Sequence, residues 1–137
     1  MAERITIEKI KALETEYEVT IPEEIKKLLC DGEIDRSRRK VHLKYGEWED
    51  ETFLHGLYST VNDVRTALDW LSEEWFPKGY IPFAYDEGGE SFCVGVKPDN
   101  YGAIFLFMSD SIEDNPEDAM LFVSSDLSAF FNSLESE

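Results

Sequence analysis

The feature that most constrains this chain is the order in which helical and strand-like hydrophobic patterns follow one another. Apolar residues recur every three or four positions in four segments, which predicts four amphipathic helices. These segments begin near residues 7, 22, 60 and 125. The intervening segments have strand-like patterns. Because helices and strands do not strictly alternate, we expect an α+β fold: one domain over residues 1–137, with a twisted, mostly antiparallel sheet and helices packed around it, largely on one side.

The predicted helix boundaries rest on capping and breaking residues. Thr6 is a plausible N-cap for the first helix, whose stripe includes Ile7. The second helix should begin at Pro22 and stop at Gly32. The apolar spacing in the third helix extends from Val61, Val64, Leu68 and Leu71 to Trp75, with Pro77 and Gly79 ending it, and the fourth should start at residue 124 or 125.

The strand-like segments differ in their alternation, and this sets their expected place in the sheet. Val41, Leu43 and Tyr45 alternate with Lys and His, so this strand should have one buried and one wet face. The run 103–108 is apolar throughout, which is typical of a central strand covered on both faces. Pro82 lacks an N–H and indicates an edge or an irregular start. The predicted strands are 40–45, 80–85, 91–96, 103–108 and 120–123.

The charge of the chain restricts its partners. Thirty acidic residues against 13 Lys and Arg give a net charge of −17. Nucleic acids and anionic membranes are bound through Lys and Arg, so we expect neither as a partner. A basic protein is favoured, and its encounter is accelerated. An acidic surface that serves only solubility is the alternative, and the basic segment 36–44 is either an internal counter-charge or a second contact.

Length and cysteine content favour a single intracellular domain. The chain has 137 residues, enough to bury a core without disulfides. Cys30 and Cys93 lie in apolar segments and form no CxxC pair, so we expect buried free thiols, with a long-range disulfide as the alternative. The sequence has no signal-peptide core and no run approaching 18 apolar residues, so we expect a cytoplasmic location.

No catalytic constellation is visible in the sequence. His42 and His55 have no second His or Cys at metal-ligand spacing. Gly88 and Gly89 are not followed by the helix and lysine of a phosphate-binding loop. The acidic loop 109–118 lacks the ligand spacing of an EF-hand. We therefore expect no enzyme, no metal and no cofactor; a metal-dependent hydrolase is the alternative that a metal-dependent melting shift would favour.

Negative charge is concentrated in the predicted turns between Asp86 and Asp118. This stretch holds nine acidic residues and one base, Lys97. Carboxylates can steer a basic protein and aromatic side chains can anchor it; in the alternative reading the aromatics are core and the acids are rim. Trp48 lies in a second acidic run, 47–51, predicted to be a hairpin or loop. The predicted partner-binding residues are Trp48, Tyr85, Asp86, Glu87, Gly88, Gly89, Glu90, Tyr101, Asp110, Glu113 and Asp114.

Two stretches resemble those of a known family. Residues 13–29, LETEYEVTIPEEIKKLL, combine an acidic residue, a tyrosine and a hydrophobic residue before proline. Residues 81–96, IPFAYDEGGESFCVGV, combine IPFA, an acidic glycine turn and a strand. With the strand 102–107 and the closing helix, this order resembles the SUKH superfamily of Smi/Knr-like immunity proteins over roughly residues 7–134. The segment 33–58 departs from the pattern, except for an echo at 56–59.

The resemblance implies an α+β fold with helices around a twisted sheet. It also implies a function, because bacterial members are mostly immunity proteins against polymorphic or contact-dependent toxins, many of them nucleases. Fungal relatives regulate the cell wall and signalling. The family offers no catalytic residues to carry over. Its acidic glycine turn matches Asp86, Glu87, Gly88 and Gly89, which by resemblance line a binding groove.

Charge, aromatics and resemblance together give the leading hypothesis. We expect an immunity protein that binds the C-terminal domain of a cognate toxin, a basic nuclease, through acidic loops that occlude its nucleic-acid site. The alternative is a non-enzymatic regulatory adaptor that binds a cellular protein. A toxin gene immediately upstream would favour the first hypothesis, and its absence the second.

Overall fold

A computed structural model, which describes residues 3–109 and 115–136, confirms the α+β fold. Its six strands form one sheet in the order β1-β2-β3-β4-β5-β6, and all neighbouring strands are antiparallel. The described helices are α1 (Ile7–Tyr17), α2 (Glu23–Asp31), α3 (Val61–Trp70) and α4 (Leu127–Ser133). The strands are β1 (Lys40–Tyr45), β2 (Trp48–Leu57), β3 (Tyr80–Asp86), β4 (Ser91–Gly95), β5 (Ile104–Phe107) and β6 (Met120–Ser124). Within these described ranges, no helix has the length and apolar character needed to cross a bilayer.

Side-chain caps determine where three of the helices begin. Thr6 accepts a first-turn N–H of α1, which confirms the predicted cap. Thr60 forms a reciprocal capping box at α3. Helix α4 begins at Leu127, later than predicted, because the carboxylate of Asp126 caps it. Pro22 is the residue before α2 and not part of its first turn.

Helix α3 ends at Trp70, and the prediction that it continues to Trp75 is wrong. The backbone tightens into i→i+3 hydrogen bonds after Leu68, and the Ser72 hydroxyl donates to the Asp69 carbonyl at 3.1 Å. The side chain of Lys78 donates to the freed carbonyl of Leu71 at 2.9 Å. The chain thereby leaves the helix layer and crosses to the other face of the sheet.

One hydrophobic core lies between the helices and one face of the sheet. All four helices contribute to it, which confirms that they lie largely on one side. Ile7 was expected on the inward stripe of α1, but it is 40% exposed. The buried helix residues are Ile10, Leu13, Ile25, Leu29, Val64, Leu68, Leu127 and Phe130; they face Leu54, Phe83, Phe92, Val94, Ile104 and Leu106 of the sheet.

Strand β5 is covered on both faces, as its apolar run predicted. Ile104 and Leu106 enter the main core, whereas Phe107 packs in a second cluster with Phe76 from the segment after α3. The second cluster also contains Cys93. The two thiols are free, but Cys30 is only half-buried. Burial raises the pKa of the Cys93 thiol well above its ordinary value.

Strand β3 lies in the middle of the sheet, so the edge position proposed for Pro82 is wrong. β3 pairs with β2 on one side and β4 on the other. The expected irregularity is present, because the register with β4 shifts between Pro82 and Ala84. Such a bulge accommodates a residue that has no N–H for the ladder.

The acidic run 47–51 belongs to a hairpin, the first of the two predicted possibilities. Gly46, with φ of +63°, makes the turn, and ten residues of β2 follow it. β2 was not among the predicted strands. Its first half carries WEDET, and the ladder places Lys44 opposite Glu49 and His42 opposite Glu51.

A buried ion pair joins α1 to α2. Lys26 is 6% exposed, and its Nζ lies 3.1 Å from Oε1 of both Glu14 and Glu23. The other oxygen of Glu14 accepts the Ile21 N–H at 2.7 Å. Burial by itself would lower the pKa of Lys26, but the hydrogen bonds to Glu23 and Glu14 outweigh it and hold this pKa above its ordinary value. Glu14 therefore fixes the chain between the two helices.

Replacing Glu14 by Ala should destabilise the protein by about 2–3 kcal/mol, because a buried cation and a backbone N–H lose their acceptor while Glu23 remains. Urea unfolding followed by circular dichroism measures the change. Glu24→Ala is the control, since Glu24 is an exposed carboxylate on α2, the helix that carries Lys26. Equal stability of the two variants would contradict the role given to Glu14.

The same ion pair predicts a pH dependence. The folded-state pKa of Lys26 lies above the unfolded value of 10.5, so its stabilisation is complete below that value and is lost as pH rises through the folded pKa. The stability difference between the wild type and Lys26→Met should therefore be constant from neutral pH to just below pH 10.5 and shift against the wild type above it. Unfolding titrations of both proteins measure this difference, and a constant difference throughout the alkaline range would disprove the assignment.

Candidate functional site

The antiparallel topology distributes the predicted site residues between two ends of the sheet. The β1–β2 and β3–β4 hairpins lie at one end, because strands run alternately up and down. Trp48, Tyr85 and the turn 86–90 are at this end. Tyr101 lies in the turn between β4 and β5, at the opposite end, and is 59% exposed. The remaining predicted residues, Asp110, Glu113 and Asp114, lie outside the described residues.

We call residues 46–51 and 86–90 the acidic end. The first segment contains four acidic residues and the second three, with no Lys or Arg in either. All residues from Gly46 to Glu51 are exposed. Trp48 is 74% exposed, the largest value among the large hydrophobic side chains described. The acidic end thus presents one tryptophan among carboxylates.

The two faces of the β1–β2 hairpin differ in charge. Side chains alternate along β2, so Trp48, Asp50 and Thr52 share one face. Thr52 donates to Asp86 Oδ2 at 2.8 Å, which ties this face to the turn 86–90. On the other face the acids oppose bases of β1, and Lys40 lies 3.5 Å from Glu51. The basic segment therefore acts in part as an internal counter-charge.

The turn 86–90 is built by the carboxylate of Asp86. Asp86 is 4% exposed, and its Oδ1 accepts the N–H groups of Gly88 at 3.0 Å and Glu90 at 2.8 Å. Gly89 has φ of +88°, as predicted for a glycine of this turn. The carboxylate of Asp86 is thus engaged within the protein, and it positions the turn. The exposed Glu87 and the half-buried Glu90 carry the charge that the turn presents.

Tyr85 occupies a different environment, in a groove beside the acidic end. Its ring stacks on Tyr58, with centroids 5.5 Å apart, and lies 5.6 Å from the ring of His55. A Cβ on Gly56 would lie only 2.3 Å from the Tyr85 hydroxyl, so the ring requires glycine there. This explains the glycine in the echo at 56–59. Burial raises the pKa of Tyr58, whose hydroxyl lies 2.7 Å from Ser91 Oγ.

The groove beside Tyr85 has a volume of about 370 Å³. No local sequence pattern indicates this groove, because its residues come from four separate segments. Arg4 precedes α1, Arg36 follows α2, and His55 lies in β2, two residues before its end. The charged and polar residues that line it are Arg4, Glu33, Arg36, His55, Ser59 and Tyr85.

One family model matches nearly the whole chain. A family model described as SMI1 / KNR4 family (SUKH-1) matches residues 4–133. This span contains all the named helices and strands, the acidic end and the groove. No curated protein matches the chain.

Replacing Gly56 by Ala should displace the Tyr85 ring from its stack on Tyr58. Because the added Cβ overlaps the ring, we expect a loss of about 1–3 kcal/mol in stability. Urea unfolding measures the loss, and the chemical shifts of the Tyr58 ring report the stack. Gly88→Ala is the control, because its Cβ would make an ordinary 3.5 Å contact. Unchanged Tyr58 shifts in Gly56→Ala would contradict this packing.

Proposed function

The chain belongs to the SMI1 / KNR4 family (SUKH-1), and from this premise we propose that it is a non-enzymatic immunity protein. It binds and neutralises a cognate toxin domain, a basic nuclease, through its acidic end. The observation that carries the proposal is Trp48, 74% exposed and surrounded by carboxylates. An aromatic side chain so placed gains most when a partner covers it.

Neutralisation follows from the chemistry of a nuclease surface. A nuclease holds phosphates with Lys and Arg, and the exposed carboxylates of Glu47 and Glu87 can pair with the same cations. The net charge of −17 accelerates encounter. Charged pairs contribute more to steering and specificity than to net affinity, so Trp48 supplies the apolar anchor.

The proposal also places the protein in the cytoplasm and requires no metal or cofactor. Reduced thiols are the usual state in that compartment, and Cys30 and Cys93 are both free. Binding needs only the surface of the acidic end. The site residues predicted outside the described ranges, Asp110, Glu113 and Asp114, remain candidates for the same contact.

The test is a calorimetric titration with the C-terminal toxin domain encoded by the adjacent gene, at low and at high salt. We expect nanomolar affinity that weakens with salt. Trp48→Ala should weaken binding at least about thirtyfold, as loss of a central aromatic anchor does. Tyr101→Ala is the matched comparison, since Tyr101 is also exposed but lies at the opposite end of the sheet.

Three other results would change the conclusion. Absence of binding at both salt concentrations would reject the neighbouring toxin as partner and favour the regulatory adaptor, whose partner a pull-down would identify. Tight binding that Trp48→Ala leaves unchanged would remove the acidic end from the contact. An equal loss in Tyr101→Ala would extend the contact along the whole sheet.

A further inference from the structure

The groove beside Tyr85 has a charge opposite to that of the protein as a whole. Arg4 and Arg36 line it with two formal positive charges, and Glu33 contributes one negative charge. The net charge of the chain is −17, and Asp86, the first residue of the second acidic segment, directly follows Tyr85. Two arginines against one glutamate make this lining more favourable to an anion than to a cation.

The two arginines are held in place but keep unused donors. Arg4 donates one N–H to the carbonyl of Cys30 at 3.2 Å, and Arg36 donates one to the carbonyl of His55 at 3.0 Å. A guanidinium has five N–H groups. Within the described residues, the other N–H groups of both arginines make no hydrogen bond. Each side chain is therefore positioned by the backbone while most of its donors face solvent.

Further donors line the same groove. The side chains of His55, Ser59 and Tyr85 make no hydrogen bond to any part of the chain that the structure describes. The stack on Tyr58 and the close approach to Gly56 hold the Tyr85 ring in one position. The groove thus combines two guanidinium groups with hydroxyl and imidazole donors, and Glu33 is the single carboxylate that lines it. A ligand that matches this lining supplies acceptor oxygens and negative charge.

We propose that this groove is a binding subsite for a carboxylate group of the partner protein. Carboxylate is favoured over phosphate, because the field of a −17 chain repels a dianion more strongly than a monoanion. Binding of a carboxylate rests on the groove alone. Its assignment to an Asp or Glu of the toxin domain rests on the proposed function.

With this subsite, the proposed interface contains neighbouring regions of negative and positive charge. Tyr85 in the groove is two residues from the exposed Glu87 of the acidic end, at most about 7 Å between Cα atoms, so one partner surface can contact both. The acidic end accepts cations of the partner, and the groove accepts an anion beside them. Neighbouring patches of opposite sign fix the register of a complex and reject basic proteins that lack the matching carboxylate.

A small-molecule titration tests the subsite without the toxin. The full chain, labelled with ¹⁵N, is titrated at constant ionic strength with N-acetyl-aspartate α-methylamide, whose side-chain carboxylate is its only charged group. We expect saturable amide shifts at residues 32–36, 55–59 and 85, and none at the distant turn 97–102. Arg36→Gln should weaken binding about tenfold, because it removes charge-assisted hydrogen bonds. Arg65→Gln is the control, since it removes an equal charge at an exposed site paired with Glu16.

A second variant distinguishes a loss of binding from a loss of folding. Tyr85→Phe removes a donor but keeps the ring on Tyr58, and it should weaken binding about threefold or more. Equal weakening by Arg36→Gln and Arg65→Gln, or shifts that never saturate, would overturn the proposal. Inorganic phosphate that binds more tightly than the carboxylate would also overturn it, in favour of a phosphate site. Saturable carboxylate binding in a protein that fails to bind the toxin domain would refute the proposed function and leave the subsite intact.

Discussion

The buried carboxylate of Asp86 is the interaction on which the arrangement of the acidic end depends. Removing a carboxylate from water is costly unless its oxygens accept hydrogen bonds. Asp86 meets this requirement through Thr52 of β2 and the N–H groups of Gly88 and Glu90. One side chain thereby fixes the conformation of the β3–β4 turn and its position against the β1–β2 hairpin. These hydrogen bonds also hold the backbone that carries the exposed Glu87.

The bases of the chain are used locally, and this shapes its surface potential. Arg38 donates to the carbonyls of Asn132 and Leu134 at the end of α4, and Lys40 lies beside Glu51. Lys26 forms the buried ion pair with Glu14. These contacts hold together segments that are distant in the sequence. Across the described β1–β2 ladder, Trp48, Asp50 and Thr52 pair with Tyr45, Leu43 and Val41 and not with a base, so β1 does not offset the negative charge on this face.

Periodicity predicted the helices and most strands because packing on one core imposes a repeat of 3.6 or 2 on the sequence. It failed where other interactions decide. β2 was not predicted, since the hairpin tip is exposed and its strand conformation comes from pairing with β1. The end of α3 was misplaced because turn hydrogen bonds after Leu68 override the apolar spacing. The sheet topology places Tyr101 and Trp48 at opposite ends, and the groove brings Arg4 close to Tyr85. Both arrangements depend on contacts between distant segments, which no local pattern encodes.

The stretches that carry the family resemblance and the stretch that departs from it have different roles. In the first stretch, Glu14 holds Ile21 and Lys26, and the hydroxyl of Tyr17 donates to Asp69 of α3 at 2.5 Å. In the second, Asp86 builds the turn. Both stretches therefore serve mainly to stabilise the fold. The segment 33–58, which lies between those two stretches, supplies Trp48 to the acidic end and Arg36 and His55 to the groove. Candidate contacts that lie outside the residues holding the scaffold together can change without loss of the fold, which is the arrangement expected where a fold is common to a family and each partner is specific.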